Sequence, residues 1–116
     1  MKNDFPKGSF AAWYGKDLSA QTYEGYLDCS GQNLTSLFGC PSIVTGYFDC
    51  SDNKLTSLEG APKEVEGHFY CNNNKLTSLE GSPKKVGGFF DCSNNPNLES
   101  LEGIGKVKGE IYSNID

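Results

Sequence analysis

One interval governs this chain. Cys29, Cys50, Cys71 and Cys92 stand 21 residues apart, and Gly25, Gly46, Gly67, Gly88 and Gly109 repeat at the same interval. The unit is cleanest from Tyr47 to Gly67, which reads YFDCSDNKLTSLEGAPKEVEG. A fixed period of this length predicts a stacked solenoid in which each unit contacts only its neighbours. Within the unit, Phe48 and Cys50 are two apart, as are Phe69 and Cys71, which fits a strand whose alternate side chains point one way. Leu55 and Leu58 follow at wider spacing, with Asn53 between. The asparagine falls where the chain leaves the strand, and its amide can bond main-chain groups that the turn leaves unpaired.

These residues resemble the leucine-rich repeat pattern LxxLxLxxNxLxxL, with Phe and Cys in the two strand leucine places. A proline after the second leucine (Pro41, Pro62, Pro83) is similar to the short bacterial and phage-type repeats that carry LTSLP-like segments. The resemblance covers about residues 26 to 115. It implies a β-rich, right-handed leucine-rich-repeat solenoid, with a parallel β-sheet on the concave face and loop or turn returns.

Residues 1–25 are expected to form a small N-terminal cap, and 26–116 the solenoid: four 21-residue repeats plus a terminal strand. Ser9 can cap a short helical turn through Phe10–Tyr14 that Gly15 ends. Phe10 and Trp13 are expected to cover the open end of the core, and Phe38, which replaces the glutamate of later units, to pack under that cap. At the other end, Ile111 and Ile115 point inward with Ser113 in the cysteine's place. An uncovered last strand can pair with another copy through its edge, which charges at Glu110 and Asp116 oppose.

Fifteen acidic residues face ten lysines, with no arginine, for a net charge of −5. Arginine is the favoured group for bidentate phosphate and guanine contacts, so this balance argues against nucleic-acid binding. No apolar run approaches a membrane span, and residues 1–14 lack a signal-peptide core. Four cysteines at one inward phase form a ladder that does not converge on a tetrahedral metal site. They read as small buried hydrophobes, and free thiols fit a reducing cytoplasm. Cys40 falls at a turn position and is expected to be the reactive or partly exposed thiol.

If Phe48 and Cys50 point inward, their neighbours form an outward grid: Tyr26, Asp28, Ser30; Tyr47, Asp49, Ser51; His68, Tyr70, Asn72; Phe89, Asp91, Ser93; Glu110, Tyr112, Asn114. No lysine falls on it. The run Tyr26, Tyr47, His68 and Phe89 makes an apolar patch larger than a soluble monomer usually exposes. The expected partner-binding residues are therefore Tyr26, Asp28, Tyr47, Asp49, His68, Tyr70, Phe89, Asp91 and Tyr112. Asp28 and Asp49 should be adjacent like charges, a mildly unfavourable pairing.

The expected function is that of a non-enzymatic protein–protein interaction module whose partner carries a basic surface. No cofactor, metal, nucleic acid or membrane is expected. One histidine without a neighbouring nucleophile, and no phosphate-binding glycine loop, leave catalysis little to work with. The resemblance adds a specific form, a phage-encoded inhibitor or modulator of a host defence protein acting in the host cytoplasm. A self-assembling structural solenoid and a carbohydrate-binding module remain open as alternatives.

Overall fold

A computed structural model describes residues 4–115. Residues 1–3 and 116, at the outer limits of the expected cap and solenoid, lie outside the described residues, and with them the expected charge at Asp116. Helix α1 (Phe10–Tyr14) is followed by ten strands of two residues each: β1 (Thr22–Tyr23), β2 (Leu27–Asp28), β3 (Ile43–Val44), β4 (Phe48–Asp49), β5 (Glu64–Val65), β6 (Phe69–Tyr70), β7 (Lys85–Val86), β8 (Phe90–Asp91), β9 (Lys106–Val107) and β10 (Ile111–Tyr112). The even strands form one parallel five-stranded sheet, here called the Phe/Cys sheet, and the odd strands a second, the valine sheet. The chain is thus a parallel β-solenoid whose register is the sequence period, as in Phe48↔Phe69↔Phe90 and Val44↔Val65↔Val86.

The returns expected as loops and turns therefore carry a sheet of their own. Its strands are two residues long, and β3, β5 and β7 each present one inward valine, so alternation has no length over which to appear in the sequence.

Between the sheets runs a core of stacked like residues. Phe48, Phe69 and Phe90 are fully buried, with neighbouring centroids 5.7 and 5.1 Å apart. Cys29, Cys50, Cys71 and Cys92 stack beside them, and Leu55, Leu58, Leu76 and Leu79 complete the section. Each ring contributes about 1.5–3 kcal/mol by leaving water.

Asparagines sew the turns together. Asn74 Nδ2 donates to the carbonyls of Cys50 and Cys71, and its Oδ1 accepts the Leu55 amide at 3.0 Å. Asn53 and Asn95 repeat the pattern one turn below and above. Each side chain therefore serves the preceding turn as well as its own. Just before it, Gly31, Asp52, Asn73 and Asn94 sit at φ between 57° and 65°. That left-handed conformation admits mainly Gly, Asn and Asp, the residues found there.

At the N-terminal end, Ser9 Oγ accepts the Ala12 amide at 3.1 Å, and Gly15 ends α1 at φ 91°. Phe10 and Ala11 are fully buried. Trp13 is not the lid it was expected to be: it leans edge-on against Phe10, 5.7 Å away, and stays 39% exposed. Phe38 does not pack under the cap either, being 42% exposed. Its carbonyl takes the Ala11 amide at 2.9 Å, so the cap docks on the backbone here while the ring points outward like Glu59 and Glu80. Cys40 is a further correction. It is buried among the core residues, and burial pushes its thiol well above the usual range, so it is not the reactive cysteine.

Candidate protein-binding face

Strand parity turns Tyr26, Asp28, Tyr47, Asp49, His68, Tyr70, Phe89, Asp91, Glu110 and Tyr112 to the outside of the Phe/Cys sheet. In register, Asp28 lies beside Asp49, Asp49 beside Tyr70, Tyr70 beside Asp91 and Asp91 beside Tyr112. Tyr26 is the most open ring at 71%, and Tyr112 is also exposed. Tyr47, His68, Tyr70 and Phe89 are half-buried, as are Asp49 and Asp91.

The rings do not form the single column expected of Tyr26, Tyr47, His68 and Phe89. They form two stacked pairs, Tyr26 on Tyr47 (4.7 Å, 7°) and His68 on Phe89 (3.9 Å, 18°). Tyr70, from the neighbouring column, stands edge-on between them, 5.7 Å from Tyr47 and 5.3 Å from Phe89. Tyr112 adds an edge contact to Phe89 at 5.3 Å. Six rings from five strands thus make one continuous cluster, and every contact but the tighter His68–Phe89 stack lies in the range of about 4.5–7 Å that favours aromatic pairs.

Two glycines make room for it. A Cβ at Gly46 would lie 2.4 Å from a ring carbon of Tyr26, and one at Gly88 would lie 2.2 Å from His68 Nδ1. The glycine at the corner between the sheets lets the preceding turn's ring lie flat over the backbone. His68 is fixed further: its Nδ1 accepts the Phe89 amide at 2.9 Å, which places the proton of the neutral ring on Nε2.

The carboxylates are engaged too. Oδ1 of Asp28 accepts both the amide and the hydroxyl of Ser30, and Asp49 with Ser51 and Asp91 with Ser93 repeat this at 2.6–3.0 Å. The cap uses the same turn at Asp17 and Ser19, where the serine hydroxyl and then its amide hold Asp17 below the usual carboxylate range. Aspartate side chains commonly close such turns two residues on. The adjacent like charges of Asp28 and Asp49 are thus accompanied by a structural role for each carboxylate.

The third turn departs from this scheme. Tyr70 and Asn72 occupy the Asp and Ser places, and Asn72 Oδ1 is buried without a hydrogen-bond partner. Burial, then Asp49, Tyr47 and Asp91, push the Tyr70 phenol above its usual value.

Positive charge lies elsewhere. Lys85, Lys106 and Lys108 flank a shallow depression of about 420 Å³ on the valine sheet, together with Glu64 and Glu66. The face therefore offers π-surface with carboxylates between the rings. The thiols beneath it are buried, and among the described residues no three His, Cys, Asp or Glu side chains gather as a metal site would need. No helix of the described residues is long and apolar enough to cross a membrane.

Reading the sequence missed the Asp–Ser turns, although the signal was present as DCS at 28–30, 49–51 and 91–93, and DLS at 17–19. It placed Tyr70 on the face but not as the link between ring pairs, which depends on side-chain rotation. Compared with known proteins, the chain matches no family model, no curated protein and no solved structure.

Proposed function

We propose that this chain is a non-enzymatic protein-binding module that engages a partner with a basic surface through the aromatic and acidic outside of its Phe/Cys sheet. The observation that carries this reading is the six-ring cluster spanning all five strands, with carboxylates interleaved and no lysine among the outward strand residues. Interface centres are enriched in aromatic groups and depleted of lysine. Five strands at about 4.8 Å spacing make a sheet about 20 Å wide, which with its turns suits a footprint of about 800 Å². Arginine fits both features, because guanidinium pairs with carboxylates and stacks on rings.

The more specific form of the proposal rests on the resemblance of the repeat alone: a short leucine-rich-repeat protein of the bacterial or phage type, inhibiting or modulating a host defence protein in the cytoplasm. The buried thiols and the engaged Nδ1 of His68 leave the face without a free nucleophile–base pair, which favours binding over catalysis.

The test is affinity capture from bacterial lysate with wild type and with Tyr47→Ala/Asp49→Asn. Asparagine keeps an acceptor for Ser51, so the Asp–Ser turn survives while charge and ring are lost. A partner retained by wild type and released by the variant, at unchanged thermal stability, is the expected result. Equal retention by both proteins sinks the assignment of this face.

A further inference from the structure

The two ends of the solenoid differ. At the N-terminal end Leu27 is 3% exposed beneath the cap, whereas Ile111, its counterpart in the last turn, is 42% exposed. Val44, Val65 and Val86 are buried, but Val107 is only half-buried, and Leu101, Ile104 and Ile115 around it are likewise incompletely covered. Strand β9 pairs only with β7, and β10 only with β8. Inside the stack, the Phe90 amide donates to the Glu110 carbonyl, and the Val86 carbonyl accepts from Lys108. By the same ladder, the N–H and C=O of both Val107 and Ile111 face out of the end.

Gly109 stands at the centre of this edge, at the corner between β9 and β10. A two-fold axis parallel to the plane of the last turn, about 2.4 Å beyond it (half a strand spacing) and bisecting that corner, lays β9 of one copy over β10 of another, running antiparallel. Positions equidistant from Gly109 then meet. Val107 faces Ile111 of the second copy, and each offers the N–H and C=O that a hydrogen-bonded antiparallel pair exchanges. On the outer faces, Lys108 meets Glu110 of the second copy, and Lys106 meets Tyr112. The first pair joins opposite charges and the second sets an ammonium beside a ring. The symmetry makes every pair occur twice, so both open edges are satisfied at once.

We infer that the C-terminal end is a two-fold interface through which two copies of this chain join end to end, β9 to β10. A head-to-tail fibre is disfavoured, because at the other end, where β1 and β2 likewise lack an outer partner, the cap occupies the place of a further turn over Ser36–Gly39. The axis produces a closed dimer. The short dimensions of the molecule, 26 and 20 Å, give each end roughly 500 Å², so roughly 1,000 Å² in all. That is near the lower limit for specific association, so the dimer is reversible and visible only on concentration. The ring cluster and this end share Tyr112 at their border, but their tests alter different residues, Tyr47 and Asp49 for the one and Lys108 and Glu110 for the other, so failure of either reading leaves the other standing.

Sedimentation velocity from about 5 to about 500 μM tests it, with expected conversion from monomer to dimer across that range. Lys108→Glu, an exposed substitution that leaves the circular dichroism spectrum unchanged, weakens dimerisation at least about ten-fold. Lys108→Glu/Glu110→Lys restores it, because each copy then offers the reversed pair. For register, Lys108→Cys protein is mixed with Glu110→Cys protein under mild oxidation. The mixture forms a cross-linked heterodimer, while neither variant alone cross-links to a comparable yield. A monomer throughout, species larger than a dimer, a charge swap that fails to restore association, or preferential linkage of Lys108→Cys to itself would each overturn the inference.

Discussion

Asn74→Ala tests the idea that asparagine side chains, rather than strand pairing alone, hold the turns in step. Asn74 is 5% exposed and makes four bonds: the Leu55 amide to Oδ1 at 3.0 Å, and Nδ2 to the carbonyls of Cys50 (3.1 Å), Cys71 (3.1 Å) and Asn72 (3.3 Å). The losses are unequal. The Cys50 carbonyl keeps Asn53 as a donor, and the Cys71 carbonyl keeps Asn95. The Leu55 amide is left without its acceptor. One buried orphan amide costs about 1–3 kcal/mol, and the three carbonyl bonds add about 0.5–1 kcal/mol each, which totals about 2.5–6 kcal/mol. Gln32→Ala is the control, since Gln32 holds the same place in the first turn but is exposed and donates only to the Ser30 carbonyl at 3.1 Å. That variant loses about 0.5 kcal/mol or less. Urea unfolding followed by circular dichroism measures both. A loss below about 1 kcal/mol for Asn74→Ala, or equal losses for the two variants, would show that the asparagines do not carry this share of the stability.

Burial raises the thiol of Cys92 to about 11 and those of Cys29, Cys40, Cys50 and Cys71 further, whereas an unfolded thiol ionises near 8.5. The native state therefore keeps protons that the unfolded chain releases. This contribution is whole below about pH 8.5 and falls as pH rises toward the folded values, by up to about 1.4 kcal/mol per thiol per unit. Urea midpoints that stay level from about pH 8 to about pH 10.5 would contradict it. Gly15 and Gly81 share φ near 90°, but a Cβ at Gly15 meets nothing within 4 Å, whereas one at Gly81 meets the backbone of Glu59 and Leu58 at 2.5 Å. Gly15→Ala accordingly costs about 1 kcal/mol of left-handed strain and Gly81→Ala roughly 3 kcal/mol or more, and equal shifts in melting temperature would refute the backbone contact.

What could be read from the sequence was whatever depends on period and parity. The 21-residue interval placed Phe48 over Phe69, and alternation put Tyr47 outside and Cys50 inside. Features set by one residue per turn were harder to see. Val65 lies between Glu64 and Glu66, a lone apolar residue with no strand-length alternation, so the valine sheet was hidden. Cys40 was misjudged for a similar reason. Its place is taken by Ala61, Ser82 and, after the insertion at Pro96-Asn97, Ile104, and this mixture of small polar and apolar residues does not by itself announce an inward position. Phe38 is the converse case: the phase it shares with Glu59 and Glu80 sets its exposure, and its apolar nature does not draw it inward.

The Asp–Ser turns alter how the outer face should be weighed. A residue recurring once per turn invites a functional explanation only when folding supplies none. Here folding supplies one for Asp28, Asp49 and Asp91, each of which closes the exit from its own strand. The acidic column is therefore weaker support for a basic partner than its regularity implies, and the rings bear more of the argument. Among them the departure from the repeat is the informative position. At the third turn the Asp–Ser closure is absent and Asn72 Oδ1 is left buried and unpaired. The same departure introduces Tyr70, without which Tyr26–Tyr47 and His68–Phe89 would be two separate pairs. The feature that costs a local hydrogen bond is the one that makes the aromatic face continuous, and the turn itself gains nothing from it.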